Sequence, residues 1–234
     1  VKKVDISMTK RKRYIDDEDE PRGKQYKEAD LILMFHLNRI ATYQTPLMKE
    51  WLSVDMPTLD LFEQTLFDRK LREAQNNMVG WSEEDLKMKF LAHIIELGHL
   101  VFEKDFVTMF DKVISATVEG KKLTVKSDFM IAKGLMNVFD IPYFHFQEYK
   151  PQINPKGEPM AQLLEAFLIA QVKNKHTKPL YGIEVIGKQW TFVVMDGKDY
   201  CVSNSYEATD REDLLKIIAI LRKFREILET RLCD

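Results

Sequence analysis

Three residues in the middle of the chain, Asp128, Glu148 and Lys150, have the types and spacing of a metal-and-water site. In Phe146-Gln147-Glu148-Tyr149-Lys150, the side chains of an extended strand alternate faces, so Glu148 and Lys150 point the same way. Asp128, in Lys126-Ser127-Asp128-Phe129, falls on the preceding strand candidate. The twenty positions from Asp128 to Glu148 leave room for the rest of one strand, a connection over 134–142 and the next strand. Paired neighbours would bring the carboxylates within about 4–6 Å of each other, close enough to share a hard cation. Magnesium prefers oxygen ligands and keeps waters and substrate phosphate in its other positions. It acidifies a bound water and neutralises phosphate charge. An adjacent lysine can orient the attacking water and stabilise the developing charge. The set therefore suffices for metal-assisted phosphodiester hydrolysis. A bare Glu-x-Lys is a weak signal, because both residues are common on strand surfaces, so the surrounding elements must carry the argument.

Those elements alternate in period. Residues 29–40 have apolar positions Leu31, Leu33, Met34, Leu37 and Ile40 at helical spacing. Pro46 restarts a helix over 47–52, and Pro57 suits the first turn of another that runs to about residue 74. Ser82 followed by Asp85 predicts a capped helix start, with Leu86, Phe90, Ile94 and Leu97 on one stripe and Gly98 as its stop. Strand texture follows over 113–118, 123–131 and 143–150, with Gly120 in the first turn and Pro151 ending the third strand. A helix is predicted over 160–172, then strands over 181–186, 190–195 and 200–203, with Asp196-Gly197 as a hairpin turn. Thr209 and Glu212 predict the capping box of a final helix. From residue 82 the order is α, β, β, β, α, β, β, β, α, which is an α/β fold with a mixed sheet and flanking helices.

Composition narrows the classes. The 234 residues are 45% hydrophobic and 31% charged, enough for a sizeable core, and the net charge of -2 excludes a uniformly basic coating protein. A nucleic-acid enzyme needs only a local positive groove. Two cysteines, Cys201 and Cys233, make no disulfide framework and have no zinc spacing. No apolar run is long enough to cross a bilayer and no secretory pattern opens the chain, so a reduced, cytoplasmic protein without a membrane partner is expected. Residues 1–27 pair a basic cluster, Lys10 to Arg13, with an acidic one, Asp16 to Glu20, and read as a solvated tail. Residues 28–79 read as a helical N-terminal subdomain and 80–234 as the domain carrying the chemistry.

The segments Trp81 to Lys87, Ser127-Asp128-Phe129, Tyr143 to Lys150 and Gln162-Leu163-Leu164, with the hairpin from Tyr181-Gly182 to Trp190 and Val194, resemble the PD-(D/E)XK nuclease superfamily. The likeness is nearest to the N-terminal nuclease domains of type I restriction subunits and spans about residues 80–230. It implies a restriction-endonuclease-like core with a helical N-terminal extension, and Mg²⁺ or Mn²⁺ as cofactor. The implied function is phosphodiester hydrolysis, with DNA as the favoured partner and RNA and a homodimer left open. It also implies a further metal-site acid on the first core helix: Glu83, which shares a face with Phe90, Ile94 and Leu97, or alternatively Glu84, which shares one with Met88, Leu91 and Ile95. Acids in a first helical turn are favoured by the macrodipole whatever the function. Ser127 stands where the motif has proline. Gln162 matches a substrate-binding glutamine of some relatives, although the aromatic expected four residues later is displaced to Phe167. The rival readings are a non-catalytic nucleic-acid-binding module on the same fold and a protein-interaction domain. His145 alternates away from Glu148 and reads as a sheet histidine, and Tyr143, Phe144, Phe146 and Tyr149 as sheet packing.

Overall fold

The structure is a computed structural model that describes residues 26–42, 45–135, 138–175 and 178–232. The charged clusters of the N-terminal tail, His176 and Cys233 lie outside these residues. The first helices are α1 (Glu28–Phe35), α2 (Pro46–Leu52) and α3 (Leu61–Asn77), with strand β1 (Asn38–Ile40) between α1 and α2. Next come α4 (Glu83–Leu86), a π-helical turn (Lys87–Leu91) and α5 (Ala92–Leu97). Strands β2 (Phe106–Val118), β3 (Lys121–Leu135) and β4 (Val138–Lys150) lead to α6 (Pro159–Asn174). Strands β5 (Leu180–Ile186), β6 (Gln189–Asp196), β7 (Asp199–Val202) and β8 (Tyr206–Glu207) precede α7 (Arg211–Ile227).

Among the described residues the strands form one mixed sheet in the order β1-β7-β6-β5-β4-β3-β2, with β8 pairing beside β6. The pairs β2/β3 and β3/β4 are antiparallel hairpin neighbours, whereas β4/β5 is parallel, because α6 carries the chain across one face before β5 begins. The β2–β3 turn is closed by Glu119 and Gly120, both at positive φ, as a two-residue hairpin twisting with its strands requires.

Both faces of the sheet are buried. Phe129, Ile131, Phe192 and Val194 face a core built with α2, α3, α5 and α7, around Trp51, Phe90, Leu221 and Phe224. Their strand neighbours Met130, Ala132, Val193 and Met195 face the second core, with Leu31 and Phe35 of α1 and Leu163 and Phe167 of α6. Burial on two sides explains why β5 and β6 read as nearly continuous apolar runs. Gly182 lets α6 approach the sheet closely. A Cβ there would lie 2.7 Å from Phe167 Cζ and 2.8 Å from Leu163 Cδ1. Gly182→Ala is expected to cost about 1–3 kcal/mol by overpacking. At Gly80 nothing lies within 4 Å of such a Cβ, and alanine there should change stability by less than about 0.5 kcal/mol. Chemical denaturation of the two variants checks the contrast.

Several boundaries differ from the sequence reading. The helix expected to reach Ile40 ends at Phe35, where His36 adopts a left-handed conformation, and residues 38–40 become β1, parallel to β7. The short polar stretch Asn38-Arg39 gives no strand signal; it is recruited by the β7 edge, with Asn38 Nδ2 donating to Asp199 Oδ1. Helix α3 starts after Asp60, not at Pro57, because Asp60 and Glu63 form a reciprocal capping box. The final helix is capped by Asp210, which accepts from the Glu212 and Asp213 amides, while Thr209 donates its hydroxyl to Glu207. The N-terminal segment thus adds a strand to the sheet and Trp51 to the larger core. The predicted cap at Ser82 with Asp85, and the stop at Gly98, are both present.

Candidate active site

The register Phe129↔Gln147 is the last pair of the β3–β4 ladder toward the start of β3. Asp128 and Glu148 come next, one on each strand. Beyond that pair the Asp128 carboxylate takes over from the ladder, accepting the Tyr149 amide through Oδ2 at 2.8 Å. This bond locks the aspartate side chain to the end of β4. Phe146 packs in the α6-side core, so alternation puts Glu148 and Lys150 on that side as well.

Glu148 is fully buried, and neither carboxylate oxygen accepts a hydrogen bond. Buried polar groups almost always have partners, so such an orphan needs an explanation. Burial raises its pKa well above the ordinary carboxylate range, and the Asp128 carboxylate beside it raises it further; the Lys150 and Lys87 charges oppose this without cancelling it. Burial and the neighbouring Asp128 charge thus favour the protonated form of Glu148.

Lys150 ends β4. Its Nζ donates to its neighbour's carbonyl, Tyr149 O, at 2.8 Å, and lies 3.5 Å from Glu83 Oε2 and 3.7 Å from Asp128 Oδ2. Glu83 is the first residue of α4, placed there by the Ser82 cap. The structure thus brings Asp128, Glu148, Lys150 and Glu83 together. Glu84, the alternative acid, is exposed and makes no ion pair with this group among the described residues. Its face was expected to carry Met88 inward, but Met88 is exposed, and the π-helical turn that begins at Lys87 shifts the register of the helix at that point. Gln162, in the first turn of α6, flanks the site: its Oε1 and Lys150 Cε lie 3.3 and 4.0 Å from where a Gly157 Cβ would sit. Ser127, in the motif's proline position, is buried and donates to Phe129 O at 2.9 Å.

Two members of the cluster were not singled out from the sequence. Lys87, one turn after Glu83, places its Nζ 3.0 Å from Glu83 Oε1, 2.8 Å from Asp128 Oδ1 and 3.3 Å from Asp111 Oδ1. Burial alone would lower its pKa, but the bonds to Asp128 and Glu83 outweigh this and hold it above the ordinary lysine value. Asp111 sits in β2 between the pairs Phe110↔Phe129 and Lys112↔Ser127, hence across from Asp128. Its φ of 54° is left-handed, which interrupts the strand at that point. Its Oδ1 also meets Lys126 Nζ at 3.1 Å.

His145 stands on the opposite face from Glu148, fully buried, with its ring centroid 4.5 Å from that of Phe224. Burial pushes its pKa down to about 3, so it is neutral, and it joins Gln147 and Tyr149 in a hydrogen-bonded row along one face of β4. Tyr143, Phe144, Phe146 and Tyr149 are all buried in the cores, as sheet packing requires. A cavity of about 600 Å³ lined by Phe102, Lys104, Lys133, Phe144 and Arg225, among others, includes none of the site residues.

Among the described residues, no three His, Cys, Asp or Glu side chains are arranged to hold a metal ion as they stand, and the Lys87 ammonium lies between Glu83 and Asp128. The donor chemistry nonetheless fits a hard divalent ion. Asp128 and Glu148 offer carboxylate oxygens, those of Glu148 wholly unengaged, and Glu83 is at the rim. No helix of the described residues is long and apolar enough to cross a membrane. No known protein-family model and no curated protein sequence matches the chain.

Proposed function

We propose that the protein is a divalent-metal-dependent nuclease of the PD-(D/E)XK kind, acting on DNA. The observation that carries this reading is the fully buried, unpartnered Glu148 carboxylate beside Asp128, with Lys150 two residues on at the strand end. An isolated buried carboxylate is costly, and proteins keep such groups where chemistry uses them. The element order supports the reading too. A helix bearing the rim acid, a three-strand meander bearing Asp and then Glu-x-Lys, a crossing helix and a parallel fourth strand is the order the resemblance implies.

Asp128 and Glu148 would hold Mg²⁺ or Mn²⁺, with Glu83 completing the set. When bound, such an ion acidifies a water and neutralises phosphate charge. The Tyr149 amide fixes the orientation of Asp128. Lys150, held by Tyr149 O, would supply an ammonium to orient the water and stabilise the charge that develops on the phosphate. Gln162 borders Lys150 and would contact the substrate.

One observation favours a second reading, a nucleic-acid-binding module that does not cut: the Lys87 ammonium already occupies the space between Glu83, Asp111 and Asp128. End-labelled single-stranded DNA, double-stranded DNA and RNA, incubated with the protein in Mg²⁺, Mn²⁺ or EDTA, separate the two. The nuclease reading expects cleavage of DNA with either ion and none with EDTA; binding without cleavage on every substrate would favour the module. Within the nuclease reading, Glu83→Gln should lower the cleavage rate at least about tenfold, as losing one electrostatic contact at the reacting centre does. Glu84→Gln should leave the rate unchanged and cost at most about 0.3–1 kcal/mol of stability through the macrodipole. Equal loss in both variants would remove Glu83 from the site.

A further inference from the structure

The placement of Lys87 has no role in the hydrolysis described above, yet its ammonium bridges carboxylates from three elements: Glu83 on α4, Asp111 on β2 and Asp128 on β3. We propose that Lys87 is the resident cation of this site in the metal-free protein, and that a divalent ion binds by displacing it. The inference rests on the proposed metal site and adds to it a competitor built into the chain.

Lys87 is ideally sited to compete. Its side chain is only 13% exposed, so the ammonium is committed to the cluster and not to solvent. It engages Oδ1 of Asp128, the Tyr149 amide engages Oδ2, and Lys87 also engages Oε1 of Glu83. Glu148 is left as the group with both oxygens unengaged. A divalent ion drawn to Glu148 and Asp128 would meet the Lys87 ammonium at bonding distance from the same aspartate oxygen. Like charges at that separation repel strongly in a buried setting, so the two cations exclude each other. The helix also changes to a π-helical turn at Lys87; turns of this kind recur at functional sites. Asp111, at 45% exposure the most exposed of the three acids, offers the displaced ammonium a partner nearer solvent.

The test is calorimetric titration of the full chain with MnCl₂, using wild type, Lys87→Gln and Lys87→Arg. Removing the competitor should tighten Mn²⁺ binding in Lys87→Gln by about tenfold or more, within the range of couplings between linked ligands. Lys87→Arg keeps the charge and should bind no more tightly than wild type. A wild type that binds Mn²⁺ and a Lys87→Gln that binds equally or more weakly would overturn the competition while leaving the metal site intact. No Mn²⁺ binding by any of the three would overturn both. A second readout needs no variant: acetylation of wild-type lysines by acetic anhydride, mapped by mass spectrometry. With Mg²⁺ added, Lys87 should become several-fold more reactive, roughly as a group released from a closed ion pair, relative to the exposed Lys121. Unchanged Lys87 reactivity in saturating Mg²⁺ would contradict displacement.

Discussion

Replacing Glu148 by glutamine is expected to raise the stability of the metal-free protein at pH 8 and to abolish its response to Mg²⁺ or Mn²⁺. Folding moves the Glu148 pKa upward from about 4.5, chiefly by burial and then by the Asp128 charge. The folded state therefore binds a proton that the unfolded state has already released. The stability linked to this proton is fully present below the unfolded pKa and is lost as pH rises through the folded one. Glutamine has no proton to lose, and its amide can donate to Asp128. The variant should match wild type near pH 4 and exceed it at pH 8 by about 2 kcal/mol, the cost of a buried group without a partner. For a chain of this size that is roughly 4–8 °C in melting temperature. Wild type should recover the difference on adding metal, by mass action on the ionised form, and the variant should not. A variant that melts lower than wild type at pH 8 would mean that the carboxylate is stabilising as it stands and has no need of a cation.

Lys150→Ala should separate turnover from binding. The Lys150 side chain is 9% exposed and its ammonium is held by Tyr149 O, Glu83 and Asp128, so it is too enclosed to attract the phosphate backbone from a distance. Its contribution belongs to the transition state. Loss should lower kcat by about 10²–10³-fold, the usual effect of removing one preorganised electrostatic group, with little change in DNA affinity. The salt dependence of binding should keep its slope, since a lost phosphate contact would flatten it by about one unit. A large rise in Kd with unchanged kcat would make Lys150 a phosphate anchor instead.

The parts of the site that strand alternation governs were legible in the sequence. Glu148 and Lys150 share a face because of period two, and Asp128 meets Glu148 because β3 and β4 are hairpin neighbours. The Ser82 cap placed both Glu83 and Glu84 in the first turn of the helix, and packing decides that Glu83 is the one beside Lys150. Lys87 could not be interpreted from its spacing. A lysine four residues after a glutamate is ordinarily a surface ion pair, and only the tertiary fold brings this one to Asp111 on β2 and Asp128 on β3. Asp111 was invisible for a different reason. The polar Asp111-Lys112 pair hides the first half of β2, and a left-handed residue inside a strand leaves no periodic trace. The same holds for β1, whose three residues are strand only because the β7 edge pairs with them. Local pattern thus predicted which side chains share the strand end, and long-range packing determined what surrounds them.

The most direct test of the nuclease reading is single-turnover cleavage of end-labelled DNA in Mg²⁺ by wild type and Asp128→Ala, with binding to the same DNA measured alongside. Asp128 accepts from the Tyr149 amide and the Lys87 ammonium and lies beside Glu148, so its loss removes the proposed metal ligand and frees Lys87. Wild type is predicted to cut, and Asp128→Ala to bind the DNA at least as tightly and leave it intact. Wild type that binds DNA but never cuts it in Mg²⁺ or Mn²⁺, or an Asp128→Ala variant that cuts at the wild-type rate, would contradict the assignment.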